Sequence, residues 1–144
     1  RDLIVTGVQT CALPISSLDF TATTEAIRAF VRERGLTSGG ELAKWVGSDE
    51  VDANLIAAAV PFGLLSPDDT IMERTIARIE RELHAPGSGV HRYLGDVYYG
   101  GGAWVLLALW LAWYYAERGL PDRSTALLAW VSAKPMPTAT CRNR

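Results

Sequence analysis

The segment Ala103–Glu117 reads AWVLLALWLAWYYAE. Its run Ala103–Ala116 is 14 residues of unbroken apolar side chains, and only the closing Glu117 is charged. Spanning a bilayer takes roughly 20 such residues, and Glu117-Arg118 forbids extension on one side. The run therefore reads as a helix buried in protein, and a membrane-anchored chain is set aside. A helix apolar on every face must be covered on all sides. The other helices of this sequence are amphipathic and number only about four, too few to enclose it. The expectation is a larger concentric architecture, with an inner ring of helices wrapped by an outer one.

The flanking sequence supports an all-α class. A helix over about Thr24–Arg34 puts Ile27, Phe30 and Val31 on one face and stops at Gly35. Thr37–Asp49 is a polar loop around Leu42, Trp45 and Val46. A second helix is expected over Val51–Val60, broken by Pro61. Ser66-Pro67-Asp68-Asp69 reads as a helix start, with serine as the cap, proline in the first turn and two carboxylates facing the positive end of the dipole. The helix it opens carries Met72, Ile76, Ile79 and Leu83 at helical spacing and ends before Pro86-Gly87. A last helix runs from Asp122 to Ala133, and no alternation of a parallel sheet is present.

Apolar residues make up 49% of the 144-residue chain and charged residues 21%, which excludes a disordered tail. A net charge of -2 offers no attraction for nucleic acid or an anionic membrane, so neither is expected as a partner. His84 and His91 lack companions at ligand spacing, so no metal is expected, and no other cofactor.

Chemistry concentrates in Gly87–Trp104, GSGVHRYLGDVYYGGGAW. Arg92, Tyr93, Asp96, Tyr98, Tyr99 and Trp104 stand there in a loop too rich in glycine to be helical. Sugars suit this mixture. A guanidinium donates to their hydroxyls, a carboxylate accepts from them, and aromatic rings lie against their C–H faces. Gly100, Gly101 and Gly102 let the backbone turn sharply or approach a ligand. The same residues would also suit a structural hairpin in which Arg92 and Asp96 pair with each other. Both readings stand on residue types alone.

This stretch resembles glycoside hydrolase family 15, the glucoamylase and glucodextranase family. The shared pattern is Arg92-Tyr93, Asp96, Tyr98-Tyr99 and Trp104, in the family's order and spacing. Val51-Asp52-Ala53-Asn54-Leu55, Pro67-Asp68-Asp69 and Leu107–Tyr115 are also similar to family segments, so the resemblance covers roughly Glu25–Lys134. It implies a partial toroid of six helical hairpins, an (α/α)6 barrel with its site in the loops at one mouth. It further implies an exo-acting, inverting hydrolase that releases glucose from α-linked gluco-oligosaccharides. On this resemblance Arg92 binds hydroxyls of the terminal glucose, Tyr93, Asp96 and Tyr98 line or support adjoining subsites, and Trp104 forms an apolar wall. Asp52 is a weaker candidate, because a carboxylate at a helix start explains it nearly as well. A non-catalytic carbohydrate-binding or helical scaffold protein is the alternative.

Inverting glycosidases use two carboxyl groups roughly 6.5–9.5 Å apart, one as acid and one as base. The resemblance places the acid in a Trp-Glu motif before the region present and the base in a Leu-Pro-Glu-Gln motif after the last helix. Neither motif is found, and the chain is expected to be inactive by itself. Other carboxylates, among them Glu41, Glu50, Glu73, Glu80 and Glu82, read as solvated residues of loops and polar helix faces. Both ends of the chain look foreign to the fold. Val5–Ile15 resembles the translation of a common sequencing adapter, so residues 1–15 are set apart from fold reasoning. The tail 135–144, PMPTATCRNR, has no periodicity, and its codons read one frame over permit Leu-Pro-Glu-Gln; a single-base slip near Lys134 is expected. Cys11 and Cys141 lie in these two segments and bear on no disulfide in the remainder.

Overall fold

Helix starts and stops in this chain follow from a few local hydrogen bonds. In the computed structural model, which describes residues 20–134, α1 spans Phe20–Arg34, α2 Thr70–Leu83, α3 Val105–Glu117 and α4 Pro121–Ser132. Two two-residue strands, β1 (Val90–His91) and β2 (Ala103–Trp104), and 3₁₀ turns at Ala53–Ala58 and Tyr98–Gly100 complete the described residues. Among the described residues the fold is all-α apart from this small ladder and two isolated bridges, Leu36 with Leu42 and His84 with Val90. The adapter-like segment 1–15 and the tail 135–144 lie outside the described residues.

α2 is capped by Asp69, whose side chain accepts from the Ile71 amide at 2.9 Å. Ser66, the expected cap, instead accepts from the Asp68 amide at 3.3 Å in the turn before the helix. Met72, Ile76, Ile79 and Leu83 are buried as their spacing predicts, joined by Ile71 and Thr75. Thr75 is a polar member of this face with both capacities satisfied. Its hydroxyl accepts from the Leu42 amide at 2.8 Å and donates to Ile71 O at 2.7 Å, pinning the 37–50 loop to α2.

Three further expectations need correction. The segment Val51–Val60 is a short 3₁₀ turn, Ala53–Ala58, rather than an α-helix. Asp52 caps it by accepting from the Asn54 amide at 2.8 Å, and the turn ends ahead of the cis Val60-Pro61 bond. Ala103 and Trp104 leave the expected helix to pair with β1, so α3 begins at Val105. On α1, Val31 packs against the core, but Ile27 and Phe30 face solvent. That helix is held through polar contacts: Arg28 Nε donates to Leu64 O at 2.7 Å, and Arg32 pairs with Asp69.

α3 is the packing centre. It contacts α4, the 53–58 turn and both strands. Leu107, Ala108, Leu111, Ala112, Tyr114 and Tyr115 are buried, whereas Val105, Leu106, Leu109 and Trp113 are exposed. One side of an all-apolar helix is thus covered and the other is bare. Its two tyrosines end in hydrogen bonds, Tyr114 to Pro67 O at 3.0 Å and Tyr115 to Glu80 Oε1 at 2.6 Å. Burial, reinforced by the Glu80 contact, holds the Tyr115 hydroxyl protonated well above its ordinary range. No helix among the described residues is long and apolar enough to cross a membrane.

Candidate functional site

The β1–β2 ladder shapes the region from 92 to 102. Val90 pairs with Trp104 and His91 with Ala103, in antiparallel register. The two ends of the glycine-rich loop are thereby joined at its neck, and Arg92, one residue beyond β1, is brought over Trp104. Glycine is required at the turn of this loop. Gly101 has φ 76 and ψ -173, a region closed to residues with a side chain. A Cβ there would also stand 2.9 Å from Asp96 O.

All five expected residues, Arg92, Tyr93, Asp96, Tyr98 and Trp104, converge. Arg92 Nη2 donates to Asp96 Oδ1 at 3.1 Å and to the Tyr93 hydroxyl at 3.2 Å. The second Asp96 oxygen accepts the Trp104 indole N–H at 3.1 Å, and the first also accepts the Tyr98 amide at 3.1 Å. The Tyr98 and Trp104 rings stack, 13° from parallel with centroids 6.1 Å apart. The guanidinium carbon lies 4.8, 5.8 and 5.1 Å from the centroids of Tyr93, Tyr98 and Trp104. Arg92 is thus clamped by one carboxylate and surrounded by three rings.

The electrostatics follow from this packing. The Asp96 side chain is 2% exposed. Burial alone would raise its carboxyl, but the Tyr98 amide, the Trp104 indole and the Arg92 charge together hold it below the ordinary value. Burial likewise works against the Arg92 charge. The Tyr93 hydrogen bond and the nearby Asp96, Tyr93 and Asp52 outweigh it, so the guanidinium is held more firmly protonated. Arg92 Nε is buried with no hydrogen-bond partner among the described residues, an unmet donor beside the engaged Nη2.

Asp52 takes the role of a carboxylate at a helix start. It caps the 3₁₀ turn, and its charge reaches Arg92. The Ala53 amide, one residue on, donates to Arg92 O at 2.7 Å and ties the two segments together. Sequence reasoning missed Lys44. Its ammonium stands 3.6 Å from the Tyr93 ring centroid, brought there by the 37–50 loop from nearly fifty residues away. No local spacing signals such a contact.

The cluster is a partly exposed wall. The best-formed clefts among the described residues, one of about 360 Å³ bounded by Glu80, His84, Tyr115, Arg123 and Trp130, take none of these five side chains. The wall offers hydrogen-bond donors, a charged clamp and stacked rings, but its one buried carboxylate is fully engaged. Asp96 holds Arg92, Trp104 and Tyr98 and is not placed as a free acid or base.

No family model matches the chain. An isomaltose glucohydrolase of Kribbella flavida is 40% identical over 129 residues, covering 88% of this chain and 33% of that protein. An uncharacterized glycosyl hydrolase of Methanocaldococcus jannaschii is 35% identical over 65 residues, 45% of this chain and 11% of its own length. Among solved structures, a wild-type glycosidase superposes with a TM-score of 0.70 at 40% identity, covering 84% of this chain and 33% of that one. A glycosidase variant in complex with glucose gives the same TM-score at 39% identity, over 80% of this chain and 32% of that one. The relatives are glycoside hydrolases, and the helical arrangement of this chain is that of part of a glycosidase. The chain spans about one third of the length of the isomaltose glucohydrolase and of the wild-type glycosidase.

Proposed function

We propose that this chain is the sugar-binding wall of an exo-acting, inverting glucosidase of the glucoamylase type, which releases glucose from α-linked gluco-oligosaccharides. The single observation that carries the reading is the convergence of Arg92, Asp96 and Trp104 on one another, with Tyr93 and Tyr98 against the guanidinium. The 40% identity to an isomaltose glucohydrolase supports it. In this reading Arg92 donates to hydroxyls of the terminal glucose, the stacked pair Tyr98 and Trp104 lies along its C–H face, and Asp96 fixes the guanidinium and indole in place. The helices belong to a six-hairpin toroid whose remaining hairpins cover the bare side of α3. The acid and the base are assigned to segments other than 20–134, so the chain is inactive alone and retains only recognition.

The ion pair between Arg92 and Asp96 also fits a purely structural hairpin in a helical scaffold protein, and binding separates the two. Glucose is titrated into the 144-residue chain and into its Arg92→Met variant, with ligand-observed NMR as readout and thermal melting as the check on folding. Losing charge-assisted hydrogen bonds worth about 1.5–3 kcal/mol should weaken binding roughly 10- to 150-fold. Absence of glucose binding by the unaltered chain, with Arg92→Met lowering only the melting temperature, would establish the scaffold reading instead.

A further inference from the structure

The loop ahead of the 53–58 turn carries an aromatic side chain that the proposed site does not use. Trp45 is 56% exposed, yet its loop is firmly held. Lys44 N–H donates to Glu50 O at 2.9 Å and Ser48 N–H to Trp45 O at 2.9 Å. Ser38 binds the Asp49 carboxylate through its amide and hydroxyl at 2.8 and 3.0 Å. Arg78 Nη2 donates to Asp49 O at 2.6 Å. An indole displayed on a rigid loop loses little entropy when a flat ligand lies on it, as a stacking platform requires.

Lys44 joins this ring to the site. Its ammonium lies 4.9 Å from the Trp45 centroid and 3.6 Å from that of Tyr93, so both rings stand within reach of one side-chain tip. The ammonium carries three donors, and among the described residues it makes one hydrogen bond, to Glu50 Oε2 at 3.1 Å. An exposed ring, a cation with donors to give and continuity with the Arg92 wall therefore occur together. Each suits a polyhydroxylated ring with an apolar face.

We infer that Trp45, with Lys44 beside it, is an outer platform for the second glucose residue of an α-linked disaccharide whose terminal residue lies on the Arg92 wall. This rests on the binding reading proposed above and adds the residue that distinguishes a disaccharide from a monosaccharide. The indole stacks on the C–H face of the second ring, and the Lys44 ammonium donates to its hydroxyls. Tyr93, touched by both Lys44 and Arg92, marks the junction between the two positions.

The test titrates the 144-residue chain and Trp45→Ala with methyl α-glucoside and with isomaltose. Trp45 makes its contacts at the surface, so melting temperature should hold. The platform predicts that Trp45→Ala weakens isomaltose roughly 5- to 10-fold, the scale of one aromatic contact, and moves methyl α-glucoside by less than twofold. Trp45→Phe should recover most of the loss, and Lys44→Met should share the selectivity for isomaltose. Unchanged isomaltose affinity in Trp45→Ala, or equal loss for both sugars, would overturn the platform while leaving the Arg92 wall intact. Reduced self-association without any change in sugar binding would mark Trp45 as a protein contact and also overturn it. Failure of the unaltered chain to bind either sugar would remove the wall and the platform together.

Discussion

Asp96 shows how one side chain is made to hold several others. Its carboxylate accepts from a guanidinium, an indole and a backbone amide while almost fully buried, so it stabilises the fold only when ionised. Its pKa in the folded chain lies below the ordinary 3.8. A depressed carboxyl contributes stability that is present above the unfolded value and is lost as pH falls through the folded one. The chain should therefore lose melting temperature on acidification below about pH 4, with part of that loss due to Asp96. Asp96→Asn should melt lower at neutral pH and show a shallower acid limb, recorded as melting temperature against pH by circular dichroism. Parallel acid limbs for the two proteins would mean that the carboxylate is not held as described. The identities and spacing of Arg92, Tyr93, Asp96, Tyr98 and Trp104 were legible in the sequence, because all five fall within one short segment. The contact of Lys44 with Tyr93 was not, because a tertiary fold, with no periodicity to announce it, brings a distant loop across.

Among the elements, the β1–β2 ladder and the loop it closes have the greatest consequence for their size. The sequence pattern extended α3 through Ala103 and Trp104 because both are apolar and helix-compatible. The structure spends them on pairing with His91 and Val90, which sets Trp104 against Arg92. Two-residue strands carry too little alternation to be read from sequence. The same limit explains the 53–58 turn, whose apolar run does not distinguish a 3₁₀ turn from a short α-helix. Helix α2 was legible because four apolar positions at helical spacing outweigh any ambiguity in its cap. The glycine turn offers a sharp test of the loop. Gly101→Ala places a side chain where φ and ψ exclude one and where Asp96 O already stands. The cost should be about 1–3 kcal/mol, read as a lower urea midpoint at unchanged slope, and the displacement of Asp96 should weaken glucose binding as well. Full stability in Gly101→Ala would show that the loop has another resting geometry.

At the scale of the whole molecule, the bare side of α3 governs behaviour in solution. Val105, Leu106, Leu109 and Trp113 are exposed on a helix whose other side forms the core. The all-round apolar sequence foretold that the remaining helices could not cover it fully. A contiguous apolar surface of this kind drives association. Replacing Leu109 by lysine should reduce concentration-dependent self-association in sedimentation velocity, with at most a small change in melting temperature, since Leu109 is 38% exposed. An unchanged association profile would place the sticky surface elsewhere. The sugar proposed as ligand was legible only through resemblance, because residue types suited to a hydroxylated ring do not specify which ring.

A direct test of sugar recognition by the Arg92 wall is the indole N–H resonance of Trp104 in a two-dimensional nitrogen–proton spectrum during glucose titration. That proton donates to Asp96 beside Arg92, whereas the indole of Trp113 donates to Glu117 on α3 and serves as an internal control. A saturable shift of the Trp104 signal, absent in Arg92→Met and with Trp113 unmoved, is the predicted result. A Trp104 signal that stays in place at high glucose, or drifts together with Trp113 without saturating, would contradict the assignment of this wall to sugar.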